Sequence, residues 1–345
     1  MYESFYGLSA KPFRLRPDPH FFYGSKGHKR AMAYLEYGLS QGEGFIVITG
    51  EVGAGKTTLV RNLFNNLPSS QIVAAHIVNT HLDSDDTLRM VVSAFGLPYE
   101  NYSKADLLTR LEAFLRAADQ MGKRALLVVD EAQNLKPGTV EELRMLSNFQ
   151  TDDKCLLQTF LIGQPEFRTT LHSPGMQQLR QRVIASYHLG PMDEPETKAY
   201  IEHRLSTVGW SGDPSFSNPA HAAIFAYTGG IPRKVNTLCD RLLLMGFLEE
   251  IHAFAEDDVA EVIRDIDQEF ELPQQIQPDV EPAMRSVPEE AEAPPLTAPS
   301  GADGNPLLDE RMMRLEKSVV SVLNILKKIV ATPAGANTSL NHNNE

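Results

Sequence analysis

Five short runs rich in apolar residues lie in the first 190 residues and predict strands. The run at residues 125–129 shows no alternation of polar and apolar positions, which is typical of a strand buried on both faces. The segments between the runs are long enough for crossover helices, so the pattern predicts an α/β domain with a mostly parallel, five-stranded sheet. The predicted strands cover residues 45–49, 72–78, 125–129, 156–162 and 183–189.

After the last predicted strand, the spacing of the apolar positions predicts helices only. We expect Asn218 to cap one of these helices, with Pro219 in its first turn and Gly229 at its end. Before the first strand lies a segment rich in aromatic residues and proline, which is followed by a helix. The chain is therefore predicted to contain an N-terminal segment at residues 1–44, a sheet domain at 45–190 and a small all-α lid domain at 191–270.

The residues that follow the lid domain differ in composition from the rest of the chain. Residues 271–306 hold eight of the 22 prolines, and seven acidic residues against one basic residue. A segment of this composition cannot bury a hydrophobic core, so we expect an extended, disordered linker. The polar, asparagine-rich residues 331–345 are expected to form a disordered tail.

Between this linker and the tail, residues 307–330 carry an apolar stripe with heptad spacing. The stripe predicts an amphipathic coiled-coil helix that pairs with itself or with a partner helix. A free helix of this length is marginal in water, so we expect the stripe to be buried against something. Docking on the folded domain of its own chain is one alternative, and binding to a membrane surface, which the few basic residues disfavour, is another. The stripe consists of Leu308, Met312, Leu315, Val319, Val322, Leu326 and Ile329.

The charge balance narrows the classes of partner. The formal net charge is −13 at pH 7, which argues against a general binder of nucleic acids or anionic membranes. The two cysteines provide no disulfide framework. The N-terminus lacks the pattern of a signal peptide, and no uncharged apolar run approaches the roughly 20 residues of a membrane-spanning helix. We expect a cytoplasmic protein, and peripheral association with a complex at the inner membrane is compatible with this.

The most specific motif is a glycine-rich loop between the first predicted strand and a predicted helix. Gly50 to Thr57 form a complete G-x-x-x-x-G-K-[ST] motif. In this context the backbone N–H groups of the loop and the helix N-terminus bind the phosphates of a nucleoside triphosphate. Lys56 is expected to reach the β- and γ-phosphates, and the Thr57 hydroxyl to bind Mg²⁺. The predicted nucleotide contacts are Gly50, Glu51, Val52, Gly53, Ala54, Gly55, Lys56, Thr57 and Thr58.

A pair of carboxylates, Asp130 and Glu131, follows the predicted strand at residues 125–129. The carboxyl ends of parallel strands form the edge at which ligands bind in open α/β sheets. We expect Asp130 to hold Mg²⁺ and Glu131 to polarise the attacking water. Together with the glycine-rich loop, this pair predicts hydrolysis of the nucleotide as well as binding.

The two nucleotide motifs, the five strands and the helical lid resemble the AAA+ ATPases, which are P-loop NTPases. The N-terminal segment resembles a narrower group, the ATPases of the general secretion pathway protein A type, and within it those associated with exosortase and PEP-CTERM systems. The resemblance covers about residues 1–270. It rests on Tyr6-Gly7-Leu8, Lys11-Pro12-Phe13, Pro17-Asp18-Pro19, Phe22-Tyr23-Gly24-Ser25 and His28.

The resemblance implies roles for further polar residues. Gln164, at the end of the fourth strand, matches the residue that senses the γ-phosphate, and Arg233 matches the lid arginine that contacts this phosphate in cis. Arg180 and Arg182 match the region that supplies an arginine finger to a neighbouring subunit, and either of them could be that finger. Asn79, which ends the second strand, would hold the catalytic carboxylate inactive until a partner binds. Three residues, Tyr6, Pro12 and Phe13, either pack near the adenine or belong to an aromatic core.

The function implied by the resemblance is that of an ATPase that uses ATP and Mg²⁺ to drive or regulate the assembly of an exopolysaccharide or protein export system. It would act as a homo-oligomeric ring or filament with an export protein as its partner. A DNA-linked ATPase of the transposition-regulator or origin-binding type is one alternative, although the acidic composition supplies no basic stripe. A scaffold that binds nucleotide without hydrolysis is another, and the presence of Glu131 and Lys56 argues against it.

Overall fold

A five-stranded parallel sheet organises the computed structural model, which describes residues 1–78 and 84–270. Its strands are β1 (Phe45–Gly50), β2 (Ile72–Ile77), β3 (Arg124–Val129), β4 (Leu157–Gly163) and β5 (Val183–Leu189). They lie in the order β2-β3-β4-β1-β5, and all neighbouring strands are parallel. The predicted number and direction of the strands are confirmed.

Helices precede, connect and follow these strands. Those that come before β5 are α1 (Tyr2–Phe5), α2 (Lys26–Gln41), α3 (Lys56–Asn66), α4 (Ser84–Ala94), α5 (Lys104–Gln120), α6 (Pro137–Leu146), α7 (Glu166–His172) and α8 (Gln177–Arg180). Those that come after it are α9 (Glu194–Ser206), α10 (Asn218–Thr228), α11 (Pro232–Leu248) and α12 (Glu256–Phe270). Short 3-10 turns lie at Pro19–Phe21, Ala132–Asn134 and Pro174–Met176.

The central strands of the sheet are buried on both faces, and they send alternate side chains to opposite sides. In β1, Phe45 and Val47 belong to one hydrophobic core, whereas Ile46 and Ile48 belong to a second core. Apolar residues of α4 and α5 complete the first core, and those of α2 and α3 complete the second. All six residues of β1 are buried, so the loop that follows this strand begins from a rigid support.

The first part of the N-terminal segment packs on the helices that follow β5, and its last part packs on the sheet. Tyr6 and Phe13 are buried in one core together with apolar residues of α9, α10, α11 and α12. The Tyr6 hydroxyl also donates to the carbonyl oxygen of Ile251 at 2.9 Å. In contrast, α2 packs on the sheet through Leu35. Residues that come first in the sequence therefore share a core with α9, α10, α11 and α12, which together are called the helical domain below.

The helical domain differs from the prediction in two details. It contains a short parallel ladder between β6 (Ser215–Phe216) and β7 (Ala253–Phe254), which the prediction of helices alone does not include. Strands of two residues carry no readable period. The N-cap of α10 is Ser217, whose hydroxyl accepts a backbone N–H of the first turn. The predicted cap, Asn218, instead accepts a hydrogen bond from Lys198.

Several predictions concern residues outside the described part of the chain. These are the linker at 271–306, the coiled-coil helix at 307–330, the tail at 331–345 and the contact between Asn79 and Glu131. Within residues 1–78 and 84–270, no helix combines the length and the hydropathy that crossing a membrane requires.

Candidate nucleotide-binding site

The glycine-rich loop connects β1 to α3 in a conformation that favours glycine. Gly53 and Gly55 have φ angles of 83° and 95°, in the left-handed region that other residues adopt with strain. Space is a second constraint. A Cβ atom on Gly53 would lie 2.4 Å from Cβ of Arg233, and one on Gly55 would lie 2.7 Å from Nε2 of His28. The loop is therefore enclosed between α2 and the beginning of α11.

Lys56 is the first residue of α3, and its side chain is buried within the loop. Its ammonium donates to the carbonyl oxygens of Gly50 at 2.7 Å and Glu51 at 3.0 Å. Burial lowers the pKa of Lys56, and the carboxylates of Glu131 and Asp130 oppose this shift. The carbonyl oxygens thus hold a cation inside the loop, where an anionic phosphate would attract it more strongly.

Thr57 and Asp130 meet where α3 begins and β3 ends. The Thr57 hydroxyl donates to Oδ2 of Asp130 over 3.0 Å, and Asp130 is only 1% exposed. The other carboxylate oxygen, Oδ1, accepts the backbone N–H of Glu131 at 2.9 Å, which fixes the orientation of the group. A hydroxyl beside a buried carboxylate is a pair of hard oxygen ligands, so these two residues fit a Mg²⁺ site.

Glu131 has a left-handed backbone, with φ 52° and ψ 41°. A residue with a side chain rarely adopts this conformation, and such strain is concentrated at functional sites. Oε2 of Glu131 accepts hydrogen bonds from the side-chain amides of Gln133 at 2.5 Å and Gln164 at 3.2 Å. The structure thus brings the predicted water-polarising carboxylate and the predicted phosphate sensor into direct contact.

Gln164 reaches this position because it follows β4, the strand between β1 and β3. Its backbone N–H donates to Oε1 of Gln133 at 2.9 Å. Gln133 therefore contacts both Glu131 and Gln164, although it was not among the predicted site residues. The available signal was its position two residues after Glu131, at the same edge of the sheet.

Arg233 lies in the first turn of α11 and lines the cleft above the loop. Its backbone N–H donates to the carbonyl oxygen of Gly53 at 3.2 Å. The helical domain therefore contacts the glycine-rich loop directly, through the same residue that the resemblance assigns to the γ-phosphate.

Arg180 and Arg182 do not line this cleft. Arg180 donates to the carbonyl oxygen of Leu171 at 2.7 Å. Arg182 donates to the side chains of Ser147 and Asn148, over 2.5 Å in each case. Both guanidinium groups thus bind groups of their own subunit, away from the residues that surround its glycine-rich loop.

The cleft lies between the carboxyl edge of the sheet and the helical domain. Residues 14–18 and 21–23 of the N-terminal segment form one wall, and side chains of α9 and α11 form another. Tyr6 and Phe13 are buried in the core of the helical domain. Of the two predicted alternatives, packing near the adenine or in an aromatic core, the structure shows the aromatic core for these two residues. The predicted site residues that line the cleft are Val52, Gly53, Gly55, Lys56, Thr57, Thr58, Glu131, Gln164 and Arg233.

Arg204 of α9 holds the N-terminal wall in place. Its guanidinium donates to the carbonyl oxygens of Pro12 at 2.7 Å and Arg14 at 3.0 Å. It also lies 4.5 Å from the ring centroid of Phe21, close enough for a cation–π interaction. Arg204 was not among the predicted site residues, because its contact with Pro12 joins positions 192 residues apart.

His28 supports the glycine-rich loop from α2. Its Nδ1 lies 2.8 Å from the hydroxyl of Ser25, which also accepts the backbone N–H of His28 as the cap of this helix. Burial lowers the pKa of His28 to about 4, and a hydrogen bond with the Ala54 backbone and the charge of Glu196 act in the opposite direction. The imidazole is therefore neutral near pH 7, and its neutral form supports the loop.

Comparisons of the sequence with known proteins show the family of the chain. Residues 39–171 match a family model described as an AAA domain. The chain is 42% identical over 261 residues to the general secretion pathway protein A of Aeromonas hydrophila. The match covers 75% of this chain and 47% of the relative, so the chain spans about half the length of the curated protein that it matches.

Solved structures also share the fold. The ORC1 protein of Aeropyrum pernix in complex with DNA has a TM-score of 0.56 at 16% identity, covering 75% of this chain and 70% of that chain. Cdc6p from Pyrobaculum aerophilum has a TM-score of 0.55 at 18% identity, covering 76% of this chain and 71% of that chain. Identities this low concern the fold alone. The chain therefore belongs to the AAA-type P-loop proteins and is related to general secretion pathway protein A.

Proposed function

We propose that this protein binds and hydrolyses ATP in the cleft above the glycine-rich loop. The observation that carries the proposal is the arrangement of charged and polar groups around one sheet edge. A buried lysine, a hydroxyl–carboxylate pair and a second carboxylate held by two amides lie there together. The lid arginine lines the same cleft. These groups serve phosphate binding, metal binding and water activation, which are the requirements of phosphoryl transfer.

Phosphate binding depends on the glycine-rich loop and on two positively charged side chains, Lys56 and Arg233. The phosphate oxygens accept hydrogen bonds from backbone N–H groups of the loop, at the positive end of α3. Lys56 exchanges its contacts with the loop carbonyls for a stronger, charge-assisted contact with a phosphate. Arg233 adds a planar guanidinium from the lid, which suits an oxyanion whose charge increases during the reaction.

Thr57 and Asp130 would hold Mg²⁺ together with phosphate oxygens. When bound, this ion supplies positive charge that offsets the charge on the phosphoryl oxygens. The hydrogen bond between the two residues keeps the Thr57 hydroxyl oxygen beside Oδ2 of Asp130. The backbone N–H of Glu131 keeps the Asp130 carboxylate in a fixed orientation.

Glu131 acts on the attacking water in this proposal. Its carboxylate accepts the proton, and the side-chain amide of Gln164 helps to place the water in line with the γ-phosphate. The direct contact between these two side chains supports a shared task.

Two substitutions separate binding from turnover. Lys56→Ala should lose both, whereas Glu131→Gln should bind ATP normally and lose hydrolysis, because only the proton acceptor is removed. Binding is measured with a fluorescent ATP analogue, and turnover by phosphate release. If Glu131→Gln hydrolysed ATP at the parental rate, the role assigned to this carboxylate would be wrong.

We further propose that the active form is a homo-oligomer, a ring or a filament, in which Arg180 or Arg182 completes the site of a neighbouring subunit. Their positions outside the cleft of their own chain support this. Activity per subunit should then rise with protein concentration. Mixtures of Arg182→Ala or Arg180→Ala subunits with Glu131→Gln subunits should regain some activity, because each supplies the group that the other lacks. A monomer whose specific activity stays constant on dilution would refute the idea.

The proposed process is the assembly or regulation of an exopolysaccharide or protein export system at the cytoplasmic side of the inner membrane. The name of the Aeromonas relative supports export, and the match to half of that protein limits the support to the shared part. The alternative is a DNA-linked ATPase, since two structures of similar fold were solved with DNA. Turnover with and without double-stranded DNA at low salt distinguishes them, because DNA should stimulate only the second class.

A further inference from the structure

Gln133 occupies the centre of the hydrogen-bond network around the proposed catalytic carboxylate. It lies in the 3-10 turn that begins directly after Glu131, and its side chain is half-buried. One end of its amide contacts the side chain of Glu131, and the other end contacts the backbone of Gln164. It therefore links the end of β3 to the segment that follows β4.

The orientation of this amide is determined by its two partners. The backbone N–H of Gln164 is only a donor, so the atom that faces it at 2.9 Å must be Oε1 of Gln133. The amide nitrogen then necessarily faces Oε2 of Glu131, which lies 2.5 Å away. A carboxylate oxygen is an acceptor, so both contacts are satisfied at once, and a flipped amide would satisfy neither.

The residue that ends β4 leaves room for this link. A Cβ atom on Gly163 would lie 3.2 Å from Oε1 of Gln133 and 3.2 Å from Cβ of Phe167. A larger residue at this position would press on the amide from the side of the sheet. Glycine at this position therefore leaves the Gln133 amide the space to contact Glu131 and Gln164.

We propose that Gln133 is a positioning residue that couples the catalytic carboxylate to the phosphate-sensing segment. Glu131 receives two amide hydrogen bonds on the same oxygen, one from Gln133 and one from the Gln164 side chain. Because Gln133 also holds the Gln164 backbone, a displacement of the sensor by the γ-phosphate is transmitted to the carboxylate. This inference rests on the proposed ATPase function and adds to it the means by which the base follows the state of the nucleotide.

Gln133→Met tests the link, because methionine has a similar length and supplies no amide. A hydrogen bond to a charged group corresponds to roughly ten- to hundredfold in rate, so kcat should fall by about that factor. KM and the affinity for ATP should change little, since Gln133 does not belong to the phosphate-binding loop. Single-turnover measurements at saturating ATP ensure that the loss lies in hydrolysis and not in product release.

Gln133→Glu provides a second arm that keeps the shape of the side chain. Its carboxylate can still accept the Gln164 N–H, but it places a negative charge against Glu131 in place of a donor. It should lose at least as much kcat as the methionine variant. Asn134→Leu, one residue further in the same 3-10 turn, is the matched control and should retain parental kcat.

A double-mutant cycle with Gln164→Met supplies a readout that a merely structural role would not move. If both residues act through the Glu131 carboxylate, the double variant should lose much less kcat than the product of the two single losses. Strictly multiplicative losses, or parental kcat in Gln133→Met and Gln133→Glu, would overturn the inference while leaving the ATPase proposal intact. If the parental protein bound ATP without hydrolysing it, the proposed function and this inference would both fail.

Discussion

Replacing His28 by glutamine should make the free energy of unfolding less sensitive to pH. Burial between Ser25 and the glycine-rich loop lowers the pKa of the imidazole from 6.5 to about 4. Between these two values the unfolded chain binds a proton that the folded chain excludes. Stability attributable to His28 is therefore complete above the unfolded pKa and is lost progressively as the pH falls toward the folded pKa. Glutamine does not titrate, so the variant lacks this loss.

The magnitude follows from the two pKa values. At roughly 1.36 kcal/mol per pKa unit, the full loss is about 3 kcal/mol, and it is reached only at pH values below the folded pKa. Near pH 5 the expected loss is about 2 kcal/mol, and near pH 7.5 it is close to zero. The pKa of His221 is also lowered to about 4 by burial, but His221 is present in both proteins. The difference between the parental protein and the variant therefore isolates His28.

Urea unfolding at pH 7.5 and pH 5 measures this difference. Fluorescence of Trp210, the single tryptophan, reports on unfolding of the helical domain, and circular dichroism reports on the loss of secondary structure. The advantage of the parental protein over His28→Gln should shrink by about 2 kcal/mol at the lower pH. His172→Gln, at an exposed position of α7, serves as the control for exchanging a histidine for glutamine. An equal difference at both pH values would show that the fold does not hold this imidazole neutral.

Three further outcomes are expected. Gly53→Ala should abolish nucleotide binding, because the φ of 83° and the 2.4 Å approach to Arg233 force the loop to shift; a fluorescent ATP analogue measures this, and parental affinity would contradict it. Arg204→Met should lower the free energy of unfolding by about 3 kcal/mol, since buried carbonyl oxygens lose their donors; a loss below about 1 kcal/mol in urea unfolding would contradict this. Val319→Asp with Val322→Asp should shift sedimentation toward smaller species while ATP binding persists, and unchanged sedimentation would refute the coiled-coil prediction.

The sheet and the glycine-rich loop were predictable because their signals are local. A strand of the sheet is a short run rich in apolar residues. The predicted strand at 183–189 coincides with β5, and the other predicted strands differ from the observed ones by one residue at one or both ends. The loop motif places every required residue type within eight positions, from Gly50 to Thr57. In both cases the physical constraint acts between residues that are adjacent in the chain.

The contacts that complete the site were not predictable in this way. The amide of Gln133 meets the N–H of Gln164 across 31 positions, and only the pairing of β3 with β4 brings the two segments together. The sequence left two alternatives open for Tyr6, a place near the adenine or in an aromatic core, and its hydroxyl bonds to Ile251 in the helical domain. Packing between distant segments decides such roles, and a single sequence carries no direct signal of it.

The helical domain contacts both α2 and the glycine-rich loop, and these contacts decide how nucleotide binding can change the position of this domain. Lys26, at the start of α2, bonds through its backbone N–H to Glu196 and through its ammonium to Asp193. These groups are exposed, so their contribution is small and readily replaced by water. The hydrogen bond from Arg233 to Gly53 lies beside the proposed phosphate site, so a nucleotide that attracts the Arg233 side chain acts on the loop and on α11 together. Because the N-terminal segment is buried in the core of the helical domain, any rotation of this domain carries one wall of the cleft with it.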